Sequence, residues 1–259
     1  MKKIALLLCV VLMLSTLMVG CKKTEAPSPE SDTPSGEASG PESMPETAAE
    51  IYAHNMEIDE STIDLVQFNT PEAGAPVATV KTSLGDIKMV LFPSEAPKAV
   101  ENFQALVEKG YYNGLKVYSA VPSVHVATGD PDNNGSGGES ASGGPFEDEY
   151  SLNLWHFNGA VAMDNGGTPG QNGSRFFIVQ NSHITDELGD KMFDGGFPEK
   201  VIQKYLDVGG VPNYDARDTV FGQVIEGMDV VEKIAAVATD ADHKPVEDVV
   251  ITSVELGTL

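Results

Sequence analysis

Val77-Ala78-Thr79-Val80-Lys81-Thr82-Ser83-Leu84-Gly85-Asp86-Ile87-Lys88-Met89-Val90-Leu91-Phe92 is the stretch whose reading decides the fold. Residues 77–82 and 86–92 are strand-like runs, and Ser83-Leu84-Gly85 between them is a short turn signal, so the stretch predicts a β-hairpin. Outward from it, Pro97 opens a helix that puts Val100, Phe103, Leu106 and Val107 on one face and stops at Gly110. Strand-like runs follow at 117–121, 124–128, 160–163, 176–179 and 219–224, then a second helix at 228–237 and a last strand at 249–256. Residues 198–208 read as a short extra helix ended by Gly209-Gly210. Many short strands with turns between them and two principal helices predict a mainly β fold, a closed barrel capped by helices.

Composition agrees with one loop-rich domain plus appendages. The 259 residues are 41% hydrophobic, enough for a core, and include 26 Gly and 16 Pro. Against 39 Asp and Glu stand only 16 Lys and Arg, a formal charge of −23. That balance excludes a nucleic-acid partner and disfavours anionic lipid, because both depend on clustered basic side chains. At the N-terminus, Lys2 and Lys3 precede an apolar run over 4–19 that ends in Val19-Gly20-Cys21. This predicts a lipoprotein-type signal over 1–20 with Cys21 as the lipidated residue. The run is shorter than the roughly 20 residues that span a bilayer. Cys9 leaves with the signal, so the mature chain has no disulfide. Residues 21–50, rich in Pro, Ser, Gly and Glu, read as a disordered acidic tether, and 51–76 as an extension lying against the main domain at 77–259. The expected location is the extracytoplasmic face of the cell membrane, held by a lipid anchor.

Seven blocks then stand in a telling order: Leu84-Gly85-Asp86-Ile87, Ala96-Pro97-Lys98-Ala99-Val100-Glu101-Asn102-Phe103, Tyr111-Tyr112-Asn113-Gly114, Gly129-Asp130-Pro131, Phe146-Glu147-Asp148-Glu149, Asn172-Gly173-Ser174-Arg175-Phe176-Phe177-Ile178 and Val220-Phe221-Gly222-Gln223-Val224. Over 77–257 the chain resembles a bacterial cyclophilin, and 186–217 resembles an insertion found in some bacterial members. The resemblance implies an eight-stranded antiparallel β-barrel closed by two helices, with peptidyl-prolyl cis-trans isomerisation as the family reaction. It implies no metal and no cofactor. The partner it implies is a proline-containing peptide or an exported protein, met by a monomer.

The departures fall on the site. Where the family pattern reads Phe-His-Arg-Val-Ile-Pro-Gly-Phe-Met-Ile-Gln-Gly-Gly-Asp, this chain has Val117-Tyr118-Ser119-Ala120-Val121-Pro122-Ser123-Val124-His125-Val126-Ala127-Thr128-Gly129-Asp130. Ser119 thus occupies the position of the catalytic arginine, Val124 that of the proline-pocket phenylalanine, His125 that of a methionine and Ala127 that of the glutamine bracing the arginine. Arg175 replaces the glutamine before the paired phenylalanines. The Trp (or His)-Leu-Asp-Gly-Lys-His loop has become Asn213-Tyr214-Asp215-Ala216-Arg217-Asp218. Phe177 and Asn165 keep the family residue. The implied peptide groove is Val124, His125, Ala127, Asp164, Asn165, Phe177, Asn213, Tyr214 and Asp218.

The candidates for catalysis are Ser119 and Arg175. Residues two apart on a strand share a face, so Arg175 is expected to point with Phe177 toward the groove and supply a guanidinium near Ser119. The competing expectation is that Arg175 pairs with Asp164 or Asp218. Residue types alone also allow a Ser119–His125–Asp hydrolase triad, although no nucleophile elbow surrounds Ser119. Asp130, Asp132, Asn134 and Gly135 imitate the start of a calcium loop, but its twelfth position is Ala141 instead of a bidentate Glu. Two functions follow: an isomerase that assists folding of exported proteins, weakened or disabled by Ser119, and a non-catalytic binding or scaffold lipoprotein using the same groove. Asp164 and Asp218 would give the groove an acidic rim suited to Lys- or Arg-flanked peptides.

Overall fold

In the computed structural model, residues 52–53 and 55–259 are described. The signal, Cys21 and the tether over 21–50 lie outside them. Strands β1 (Pro76–Thr82) and β2 (Gly85–Leu91) form the hairpin, with Val80 opposite Ile87 and Thr82 opposite Gly85. The Thr82 hydroxyl fastens the turn by donating to the Gly85 carbonyl at 2.7 Å and accepting the Leu84 N–H at 3.1 Å. Six more strands follow: β3 (Ser119–Val121), β4 (His125–Thr128), β5 (Ala160–Met163), β6 (Phe176–Val179), β7 (Val220–Glu226) and β8 (Ile251–Thr258). They make one eight-stranded sheet in the order β3-β4-β6-β5-β7-β2-β1-β8. Every neighbouring pair is antiparallel.

The sheet curls without full closure, which corrects the expectation of a closed barrel. Its edges β3 and β8 share no ladder. A single bridge, Lys116 to Val250, joins the residues flanking them, helped by the Val117 N–H on the Val249 carbonyl at 2.9 Å. Ladder pairing across the seam is unavailable because β3 is three residues long and gives its Ala120 N–H to the His243 carbonyl. The loop before β8 therefore seals the seam.

Two helices cap the sheet. In α1 (Pro97–Glu108) Pro97 takes the first position, where its missing N–H costs nothing. Ala96 cannot cap, and Glu149 does so from a distant loop, accepting the Lys98 and Ala99 N–H groups at 3.1 and 2.9 Å. Val100, Phe103 and Leu106 of α1 join Val231 and Ile234 from the C-terminal helix, Met228–Ala235, in one buried cluster with Ile87, Met89, Phe176, Ile178 and Phe221 of the sheet. Phe103 sits at its centre, with ring centroids 5.3 to 5.6 Å from Tyr112, Phe176 and Phe221.

Between β6 and β7 the chain inserts two helices, numbered in chain order α2 (Asp186–Asp194) and α3 (Glu199–Val208), which makes the C-terminal helix α4. Only α3 is legible beforehand. Thr185 caps α2 through its hydroxyl, 3.2 Å from the Leu188 N–H. α3 ends at Gly209, whose φ of 80° and approach to Asn181 leave no room for a side chain: a Cβ there would collide with the Asn181 carbonyl. Met192 of α2 and Val201, Ile202 and Tyr205 of α3 form a second buried cluster with Ile63, Trp155, Phe157 and Ile184. Ile63 belongs to the segment before β1. From the same segment the buried Gln67 carboxamide donates to Trp155 O at 2.9 Å and to Gln223 Oε1 on β7 at 2.8 Å, and accepts the Trp155 N–H at 2.8 Å.

Candidate functional site

Along β6 the side chains alternate, with Phe176 and Ile178 in the main core while Phe177 joins a separate cluster with Ala127, Ala162 and Val220. The register carries that face across the sheet: Ser119 lies opposite Ala127, Ala127 opposite Phe177 and Phe177 opposite Ala162. Ser119, Ala127 and Phe177 are therefore lined up on the outer face of β3, β4 and β6, and His125 shares that face by the same parity. Tyr214, on the 3-10 turn Pro212–Tyr214, covers it from the side.

These groups make an aromatic floor with polar links. Phe177 is edge-on to Tyr214 at 5.3 Å, tilted against His125 at 5.7 Å and stacked on His156 at 6.0 Å, all between ring centroids. His125 Nε2 is 3.2 Å from Ser119 Oγ, and its Nδ1 is 3.2 Å from the Tyr214 hydroxyl. Burial holds the His125 pKa below its ordinary value, so the ring is neutral at pH 7 and donates from only one nitrogen. The pairing of Ser119 with His125 is real, but the third group is a phenol where the hydrolase triad requires a carboxylate.

Arg175 departs from both expectations. It precedes β6 by one residue, and its guanidinium turns away from Ser119 to donate to the Gly135 carbonyl, while its Nη2 lies against Gly166. Among the described residues it makes no ion pair with Asp164 or Asp218. It borders a cavity of about 290 Å³ lined by Gly137, Gly138, Asn172 and Gly173. The parity argument places its Cα on the right face, but the four rotatable bonds of the side chain take the charge elsewhere.

At the other end of the face, three carboxylates gather about Asn165. Asp164 follows β5 and accepts from the Tyr118 hydroxyl and from the Gly166 N–H at 2.8 Å. Asp148 accepts from Asn165 at 3.2 Å, Asn172 at 2.8 Å and the Gly170 N–H at 2.7 Å. Asn165 also donates to the Arg217 carbonyl at 2.7 Å, which ties the β5 end to the loop carrying Asp218. Asp218 is 8% exposed and accepts no hydrogen bond among the described residues. Desolvation pushes its pKa up to about 6, with Asp164 and Asp148 adding to the rise and His156 and Arg217 opposing it.

The remaining residues sort plainly. Val124 is half-buried at the β3–β4 turn, and Asn213 is exposed on its 3-10 turn; neither joins the aromatic floor. Asp130 has the loop N–H groups of Asp132, Asn134, Gly135 and Ser136 on its carboxylate at 2.6 to 3.2 Å, so it organises that loop as an acceptor. Trp155 is buried in the second cluster. His156 and Tyr118 are site residues that sequence reasoning missed. His156 lies in the aperiodic loop before β5, 1% exposed, with Nδ1 bonded to Asp215 at 2.9 Å and Nε2 unpartnered. No local pattern marks it.

An eight-stranded curled antiparallel sheet, two helices packed into one core with it and an aromatic face beside the 212–218 loop are now in place, and the family model for the cyclophilin type peptidyl-prolyl cis-trans isomerase matches residues 77–256. The chain belongs to this family. A Staphylococcus haemolyticus protein assigned as a peptidyl-prolyl cis-trans isomerase is 44% identical over 175 residues, covering 68% of this chain and 88% of its own. A Staphylococcus aureus protein of the same assignment is 40% identical over 185 residues, covering 71% of this chain and 93% of its own. Among solved structures, a Cryptosporidium parvum cyclophilin superposes with a TM-score of 0.59 at 26% identity, covering 71% of this chain and 99% of that one. The same cyclophilin was also solved in the presence of the dipeptide Ala-Pro. Within this cyclophilin, Ser119 on the outer face is hydrogen-bonded to a neutral His125.

Proposed function

We propose that this cyclophilin is a lipid-anchored folding helper on the extracytoplasmic face of the cell membrane, which holds proline-containing segments of exported proteins on the Phe177 face and isomerises them slowly. Rotation about an X-Pro bond must overcome amide resonance, and uncatalysed exchange takes tens to hundreds of seconds. Faster exchange needs an apolar seat for the ring and a donor that favours the twisted amide over either planar isomer. Phe177, Ala127, Ala162 and the edge of Tyr214 offer the seat. The donor is the weak part. Ser119 carries a short neutral hydroxyl already 3.2 Å from His125, and this single contact carries the reading. A charged donor makes stronger hydrogen bonds than a neutral one, and a preorganised transition-state donor is worth roughly 10²–10³ in rate. The N-terminal Lys2-Lys3, apolar run and Val19-Gly20-Cys21 support the anchor, and the acidic tether supports a domain kept clear of the lipid surface.

The test is a protease-coupled assay on a panel of X-Pro tetrapeptides. The expected result is a low wild-type kcat/KM that rises about tenfold or more in Ser119→Arg and is unmoved in Arg175→Gln. Wild-type turnover within about tenfold of an arginine-bearing cyclophilin would overturn the slow-isomerase reading. A fall in Arg175→Gln would restore Arg175 as the donor.

A further inference from the structure

The apolar seat is covered in the free chain. Phe177, Ala127, Ala162 and Val220, which form it, are each 5% exposed or less. The cover is a triangle of rings, whose centroids stand 5.3 Å apart for Phe177 and Tyr214, 5.7 Å for Phe177 and His125, and 6.2 Å for His125 and Tyr214. These are contact distances between rings, so no pyrrolidine fits among them. Tyr214 and His125 come from different elements, the 3-10 turn and β4, and one hydrogen bond of 3.2 Å between the Tyr214 hydroxyl and His125 Nδ1 closes the triangle. The backbone around Tyr214 is firmly held. Its N–H donates to the Val211 carbonyl at 3.0 Å, and its carbonyl accepts the Arg217 N–H at 3.1 Å. Asp215, the next residue, is fixed by Tyr205 and His156, and Asn165 donates to the Arg217 carbonyl at 2.7 Å. The half-buried Tyr214 side chain has no such hold. Among the described residues its hydroxyl bonds only to His125, and the exposed Arg217 guanidinium lies 5.9 Å from its ring centroid. Uncovering the seat is therefore a rotamer change of one side chain and not a movement of the loop.

We infer that Tyr214 is a gate on the seat, latched by its hydrogen bond to His125, so that a proline ring enters only after the Tyr214 side chain has swung outward. The inference rests on the Phe177 face binding proline peptides as proposed above, and adds how entry is controlled. A site open in only a fraction of molecules binds with an apparent affinity reduced by that fraction. A substitution that enlarges the open fraction then acts on the association rate and leaves dissociation alone, because the bound complex is unchanged. The net worth of one neutral hydrogen bond corresponds to about fivefold in such an equilibrium.

The test titrates the chain with an Ala-Pro tetrapeptide and reads association and dissociation rates from nuclear magnetic resonance line shapes. Tyr214→Phe and His125→Leu each remove the latch from one side, and each is expected to bind about fivefold tighter through faster association. The double variant should gain no more than either alone, since the same bond is lost. Tyr214→Leu, which also takes away the covering ring, should gain more than Tyr214→Phe. Binding by Tyr214→Leu where the wild type shows none would equally support the gate. Unchanged affinity in Tyr214→Phe and Tyr214→Leu would overturn it, and weaker binding would make Tyr214 a peptide contact instead. A gain that comes from slower dissociation, or gains that add in full in the double variant, would also overturn the latch while leaving the groove intact. No binding of the peptide by any variant would remove the groove reading together with the gate.

Discussion

Burial pushes the Asp218 carboxyl up to about 6 from an ordinary 3.8, so the ionised form is disfavoured in the folded chain relative to the unfolded one. The native state then binds more protons than the unfolded state between these values, and stability falls as pH rises through that window. Above pH 6 the ionised group costs about 3 kcal/mol, a cost absent below pH 4. Asp218→Asn removes the cost. Its melting temperature is expected to exceed wild type at pH 7.5, with the gap closing by pH 4, and an equal gap at both would show that ionisation is not the cause. His156, Asp164, Arg217 and Asp148 all face this carboxylate, so the same comparison in Asp164→Asn should show a smaller version of the effect.

The inserted helix α3 reaches the groove through one residue. Tyr205 donates its hydroxyl to both carboxylate oxygens of Asp215, at 2.9 and 2.7 Å, and Asp215 in turn holds the backbone and ring of His156, at 2.9 Å each. Asp215 directly follows Tyr214, and His156 stacks on Phe177, so α3 fixes two walls of the aromatic face. Tyr205→Phe strips a buried carboxylate of its phenol donor, worth about 1–3 kcal/mol. The expected outcome is weaker proline-peptide binding with the secondary structure intact. Unchanged affinity with lowered stability would confine α3 to packing. This element also shows what a linear pattern can reveal. Hairpin 76–91, α1 and the strands of the aromatic face have local periodicity, which is why they are readable from residue type. α2 has only Leu188 and Met192 as inward apolar residues around Gly189, and its stability comes from the second cluster, a tertiary effect invisible in its own nine residues. The open seam depends on a loop, and the Arg175 guanidinium on a rotamer. Ser119, His125 and Ala127, which share the face of Phe177, fall inside a run of local strand pattern that the sequence displays; the aperiodic His156 does not.

On the scale of the whole molecule, residues 58–68 decide whether the sheet and its inserted helices behave as one unit. Ile63 fills the second cluster, Phe68 meets Phe157 edge-on at 5.2 Å, and Gln67 ties the loop at Trp155 to Gln223 on β7. Gln67→Ala would leave the Trp155 N–H and the Gln223 carbonyl oxygen without these partners in a buried setting, at roughly 1–3 kcal/mol for each unsatisfied group. For a domain of this size a loss of a few kcal/mol lowers the melting temperature by about 5 °C or more. Trp155 is the chain's one tryptophan and is 7% exposed, so its emission reports on this junction alone. In Gln67→Ala the tryptophan emission and the far-ultraviolet dichroism should be lost together in a single transition at the lower temperature, since Gln223 transmits the defect into the sheet. If emission reddens well before the dichroism changes, the segment and the inserted helices form a separately melting unit, and α3 cannot then hold the groove loop rigidly through Tyr205.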